Sequence, residues 1–112
     1  MVISSLSLRY GCDPDVVYDG GGGIFCHSSS PSLKNVMITG NLATPLGSYG
    51  GGGGIYCSGG FPQFTNVMVN NNSVSDKGGG IYCDISTPTF TNVTISDNLA
   101  TYGGGMYLNS SS

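Results

Sequence analysis

PQFTNVMVNNNSVSDKGGGIYC, residues 62–83, decides the fold, because both of its halves recur along the chain. GGGIYC (78–83) also stands at 52–57, as GGGIFC at 21–26 and as GGGMYL at 103–108. QFTNVMVNNN (63–72) returns as SLKNVMITGN (32–41) and TFTNVTISDN (89–98). Seven residues after Ile24, Ile55 and Ile81 come Pro31, Pro62 and Pro88, and each proline opens the second phrase. Leu33, Phe64 and Phe90 are therefore equivalent, as are Asn35, Asn66 and Asn92, then Val36, Val67 and Val93. Ile38, Val69 and Ile95 follow in the same way, then Asn41, Asn72 and Asn98. At the amino terminus Ile3, Leu6 and Leu8 reproduce the spacing of Leu33, Val36 and Ile38, which predicts an earlier coil with Gly11 at the asparagine position. Repetition at this period marks a solenoid.

The repeat body is constant, and the varying segment runs from the last asparagine to the next Gly triplet. A fixed body with one elastic loop describes coils stacked at constant pitch, with insertions bulging from one corner. Within the body apolar residues alternate, Ile24 and Cys26 against Phe25, and Val36 and Ile38 against Met37, which is the period of a strand. Short strands separated by Gly, Pro or Asn, with no helical segment between, predict an all-β parallel solenoid. Each strand pairs with its equivalent one coil away at about 4.8 Å. Counted from the proline position, the single domain spans 1–112 in four coils: 1–30, 31–61, 62–87 and 88–112. The nine residues Leu33, Val36, Ile38, Phe64, Val67, Val69, Phe90, Val93 and Ile95 are expected to share one core. Identical amides stacked at strand spacing hydrogen-bond along the axis, and Asn tolerates the left-handed backbone of a tight corner. Asn41, Asn72 and Asn98 are therefore read as an internal ladder, and the Gly triplets as the sharp turn before each Ile-Tyr-Cys strand.

Composition agrees. Gly accounts for 20 of 112 residues, and Gly, Ser, Asn and Thr together for close to half the chain. Glu is absent and Ala appears only at positions 43 and 100, which excludes a helical bundle. Net charge is −3, with Arg9, Lys34 and Lys77 the basic residues, so no electrostatic footprint for nucleic acid exists. No apolar run approaches a membrane span, and MVISSLSLRYG lacks the pattern of a signal peptide.

VTISDNLATYGGGMY (93–107) and VMVNNNSVSDKGGGIYC (67–83) resemble the chlamydial polymorphic outer-membrane protein repeats. These are defined by an apolar residue, two variable positions and Asn, followed by a Gly-Gly-aliphatic signature. More widely, the chain is similar to right-handed parallel β-helix proteins of the pectate-lyase-like superfamily. The resemblance implies a right-handed β-helix and a surface or secreted location with adhesive or structural roles. Pectate lyases in the wider class cleave polysaccharides, so a piece of a larger adhesin or of a carbohydrate-active β-helix is the alternative reading.

Lyase-like catalysis needs carboxylates to hold Ca²⁺ or act as acid and base, with Arg or Lys beside them. Asp76, Asp84 and Asp97 fall at non-equivalent positions in their coils, so no paired acids arise, and no enzyme and no cofactor are expected. Asp13, Asp15 and Asp19 form the densest acidic group, a sparse candidate for Ca²⁺ that lacks most ligand positions of a dedicated loop; the plainer reading is a solubilising loop. Cys26, Cys57 and Cys83 alternate in phase with Ile24, Ile55 and Ile81 and are expected to point inward as free thiols, because parallel Cβ vectors do not converge on a disulfide. Cys12 falls in a loop and His27 is a lone imidazole. Phe25, Tyr56, Tyr82 and Tyr107 are expected outward, a row of rings for sugar or for lateral packing, unless the loops carrying Tyr18 and Tyr49 cover it. Asn71, Asn92 and Asn109 begin Asn-x-Ser/Thr triplets, a frequent coincidence in so Asn- and Ser-rich a chain.

Phase yields a last expectation. Leu108-Asn-Ser-Ser-Ser followed by Met1 parallels Cys26-His-Ser-Ser-Ser followed by Pro31. Bare solenoid ends pair with whatever strand fits, and the other end of an identical molecule fits best. Head-to-tail stacking would advance roughly 19 Å per chain, four coils at about 4.8 Å. The rival is a repeat-boundary fragment of a longer surface protein.

Overall fold

A computed structural model describes residues 2–3, 8–10, 23–43, 51–75 and 77–109. Among the described residues there are eleven strands: β1 (Val2–Ile3), β2 (Leu8–Tyr10), β3 (Ile24–His27), β4 (Ser32–Thr39), β5 (Leu42–Ala43), β6 (Ile55–Ser58), β7 (Gln63–Asn70), β8 (Ser73–Val74), β9 (Ile81–Asp84), β10 (Thr89–Ser96) and β11 (Met106–Asn109). No helix occurs among the described residues. Strands run parallel in three sheets, ordered β1-β4-β7-β10, β2-β3-β6-β9-β11 and β5-β8. Each strand from β3 onward pairs with the repeat equivalent read from the sequence, for example Leu33 with Phe64 and Phe64 with Phe90. The fold is a parallel β-solenoid.

Among the described residues left-handed backbone corners recur at four sets of equivalent positions. Ser28, Gly59 and Ile85 have φ of 48°, 71° and 50°, and Asn35, Asn66 and Asn92 have 56°, 53° and 54°. Gly40, Asn71 and Asp97 follow at 67°, 53° and 53°, then Gly52, Gly78 and Gly103 at 68°, 69° and 61°. The second corner lies inside β4, β7 and β10 and explains a break in their alternation. Leu33 and Val36 both point inward with Lys34 and Asn35 both exposed between them, because one left-handed residue inverts the phase of the strand. In the triplets 52–54, 78–80 and 103–105 only the first glycine is left-handed. The next two make room for the coil above: a Cβ on Gly53 would run into the Gly79 carbonyl, and one on Gly54 would lie 2.8 Å from the Gly80 carbonyl oxygen.

All nine expected core residues join one cluster with Ile24, Ile55, Ile81, the three cysteines and Met106. The central coils are sealed. In the last coil Phe90, Val93, Ile95 and Met106 are only partly buried, because β10 and β11 are the outermost described strands of their sheets.

Two expectations need correcting. Ile3 pairs with Ile38, not Leu33, and Leu8 pairs with Ile24, not Ile38. The amino-terminal segment therefore leaves the phase of the repeat, and the junction match built on Met1 loses its register. The ladder asparagines are also not the left-handed residues. That conformation falls on the residue before each (Gly40, Asn71, Asp97), which leaves the asparagine itself free to turn its amide inward.

Candidate functional site

Chemistry in a solenoid is organised as rows, since equivalent side chains stack one coil apart. Inside, Asn41 donates from its backbone N–H and its Nδ2 to Asn72 Oδ1, both at 3.0 Å. Asn72 repeats the pattern toward Asn98 Oδ1, at 2.9 and 3.1 Å. The remaining Nδ2 hydrogens reach backward to carbonyls, Asn72 to Ile38 and Asn98 to Val69, each at 2.9 Å. This row closes the third corner. Gly11, expected in the same row, lies outside the described residues.

Cys26, Cys57 and Cys83 form the second inner row, all fully buried and free. Hydrogen bonding to its two thiol neighbours, then burial, pushes the Cys57 thiol well above its ordinary range. Such a thiol is neutral and unreactive.

The aromatic row exists but is not open. Phe25, Tyr56, Tyr82 and Tyr107 stack with centroids 5.2, 5.1 and 5.5 Å apart. Phe25 and Tyr56 are fully buried, Tyr82 nearly so and Tyr107 partly, so the rings form a second apolar cluster. The Gly51 backbone lies directly against the Tyr82 ring, and Lys77 Nζ sits 5.6 Å over the Tyr107 ring. Phe25, Tyr56 and Tyr82 are thereby closed off, while Tyr107, the last ring of the row, stays partly exposed. Alternation tells which side of a strand a residue takes, and not whether another segment covers that side.

The polar residues are dispersed. His27, Ser58, Asp84 and Asn109 occupy one register row, where Asn109 Nδ2 donates to Asp84 Oδ1 at 2.9 Å. Asp97 lies at a different corner from Asp84. Among the described residues no cluster of three or more His, Cys, Asp or Glu side chains is placed to hold a metal. Asp13, Asp15, Asp19, Asp76, Cys12, Tyr18 and Tyr49 lie outside the described residues.

One feature was missed in the sequence. At the second corner Asn35, Asn66 and Asn92 form an exposed amide row, with Asn66 Nδ2 donating to Asn35 Oδ1 at 3.2 Å and Asn92 Nδ2 to Asn66 Oδ1 at 2.6 Å. Beside it run Met37, Met68 and Thr94, also exposed. The two rows border an open groove of about 430 Å³ floored by Val36 and Val67. Its signal was present: the three-residue step from Leu33 to Val36, repeated in each coil, cannot belong to an unbroken strand.

Residues 35–58 and 66–84 are similar to a known repeat. They match the Chlamydia polymorphic membrane protein repeat. Each match begins at a corner asparagine, Asn35 or Asn66, and crosses the ladder asparagine and the Gly triplet to the end of β6 or β9. The polymorphic membrane protein repeat thus falls on two consecutive coils in the same phase. No curated protein and no solved structure matches the chain, and the wider pectate-lyase-like resemblance gains no support from these comparisons.

Proposed function

We propose that the chain is a non-enzymatic structural or adhesive solenoid of an outer-membrane or cell-surface protein, and that it associates end to end. The repeat match supports the surface location. Support for a non-catalytic role comes from the rows themselves: the inner amides are spent on the ladder, the thiols are sealed, and Asp84 and Asp97 stand apart.

One observation carries the end-to-end reading. Phe64, Val67, Val69 and Ile81 are buried, whereas their last-coil equivalents Phe90, Val93, Ile95 and Met106 are half-covered beside the outer edges of β10 and β11. Unpaired parallel edges over apolar side chains take up a further strand. In the observed register the strands that would continue β10 and β11 are β1 and β2 of a second copy, with Ile3 in the register row of Ile95 and Leu8 in that of Met106. Such a contact is heterologous and grows without closing.

Sedimentation and negative-stain microscopy of the purified chain test this. The expected result is concentration-dependent fibres, abolished by Ile95→Lys while circular dichroism stays β-rich. Monomers at high concentration would overturn it, as would fibres indifferent to that substitution.

A further inference from the structure

The second-corner groove presents a polar array that repeats with the coil and faces solvent. We propose that it binds a neutral, extended β-1,4-linked glycan lying along the solenoid axis, with successive sugars set against successive coils. This site is separate from the end-to-end contact and does not depend on it.

Amide arithmetic comes first. An asparagine side chain offers two N–H donors and two acceptor lone pairs. Asn66, which is exposed, spends one donor on Asn35 and one lone pair on Asn92, which leaves one donor and one acceptor to its amide. Such a pair suits a sugar hydroxyl, which donates and accepts at once. The amides are already ordered by their mutual hydrogen bonds and by a backbone held at φ near 55°, so little conformational freedom remains to be lost on binding.

The opposite wall supplies the apolar contact. Met37 and Met68 are each 38% exposed, and Asn70 Nδ2 lies 3.6 Å from Met68 Sδ. Thioethers are polarizable and adapt to irregular surfaces such as the C–H face of a pyranose. An amide wall and an apolar wall thus match the hydroxyl edge and the C–H face of a sugar ring.

Charge and spacing narrow the class. None of the groove-lining residues is ionisable and the chain carries a net charge of −3, so a polyanionic glycan meets overall repulsion, with Lys34, exposed next to Asn35, the basic side chain beside the groove. The rows repeat at strand spacing, about 4.8 Å. That step is close to the advance of one hexopyranose in an extended β-1,4-linked chain. A peptide strand advances by about 3.3 Å per residue and falls out of step with the rows.

The test is a ¹⁵N-HSQC titration of the full chain carrying Ile95→Lys, which keeps it dispersed and leaves the groove intact, with cellotetraose, and with tetragalacturonate as the charged arm. The expected result is saturable shifts of the Asn66 and Asn92 side-chain amides and of the Met68 and Thr94 backbone amides by cellotetraose, with millimolar affinity. Tetragalacturonate should cause at least tenfold weaker shifts. Asn66→Gly preserves the left-handed corner while removing the amide, and should weaken cellotetraose binding at least tenfold with an otherwise unchanged spectrum. No saturable shift, shifts mapping elsewhere, equal binding of both glycans, or unaltered affinity in folded Asn66→Gly would each overturn the proposal. Groove shifts that follow protein concentration without sugar would assign the surface to a second copy and overturn it as well.

Discussion

Replacing Asn72 with leucine isolates the energetics of the inner ladder. Leucine has the same branching at Cγ, so Asn72→Leu deletes hydrogen bonds with little change of shape. Asn72 is 1% exposed, and its Oδ1 accepts from both the N–H and Nδ2 of Asn41 while its Nδ2 donates to the Ile38 carbonyl. The substitution strips a partner from these three groups in a region closed to water. A buried polar group left unsatisfied costs about 1–3 kcal/mol, so the total is about 3–6 kcal/mol once partial relaxation is allowed. That is a large fraction of the about 5–15 kcal/mol that holds an ordinary domain together. Asn98 makes chemically equivalent bonds, but all three are only part-buried at the last coil, and Asn98→Leu should cost less, about 1–2 kcal/mol. Urea unfolding followed by circular dichroism measures both. The reasoning fails if Asn72→Leu costs under about 1 kcal/mol, or if Asn98→Leu costs as much.

Two further outcomes follow from corners and thiols. Ile85 holds φ of 50° with its side chain 70% exposed, so Ile85→Asn should raise stability by about 1 kcal/mol, read as an increase in Tm; an unchanged or lower Tm would contradict the strain argument. Cys57 has its folded-state pKa raised, first by its thiol neighbours and then by burial, so unfolded thiols ionise first as pH rises. Its contribution should be constant below the ordinary thiol value of 9.0 and decline above it, with iodoacetamide labelling of Cys26, Cys57 and Cys83 at pH 8 requiring unfolding. Rapid labelling of the native chain would refute the sealed row.

Solenoid architecture was legible because each coil repeats a nearly identical phrase, and repetition converts a one-dimensional pattern into a three-dimensional contact. Leu33, Phe64 and Phe90 needed no structure to be stacked, since parallel in-register pairing is the arrangement that lets all of them share one interior. The inner rows Asn41-Asn72-Asn98 and Cys26-Cys57-Cys83 were readable for the same reason. The amino-terminal register was not. Ile3 and Leu8 lie outside the Gly-triplet phrase, and three apolar residues at a common spacing fit more than one alignment.

What the amino-acid sequence by itself determined was the stacking: which residues are equivalent, that the strands are parallel, and which side of each strand the apolar positions take. These depend on local period and on recurrence, both present in the one-dimensional order. Only the tertiary structure decided which of those sides meet water. Phe25, Tyr56 and Tyr82 alternate away from the main core as expected, yet they are buried in a second cluster against which the Gly51 backbone is laid. Asn35, Asn66 and Asn92, which sequence alone marked merely as equivalent, become an open amide row because a left-handed residue turns the strand there. Exposure depends on what the rest of the chain brings over a surface, and no residue's own pattern carries that information.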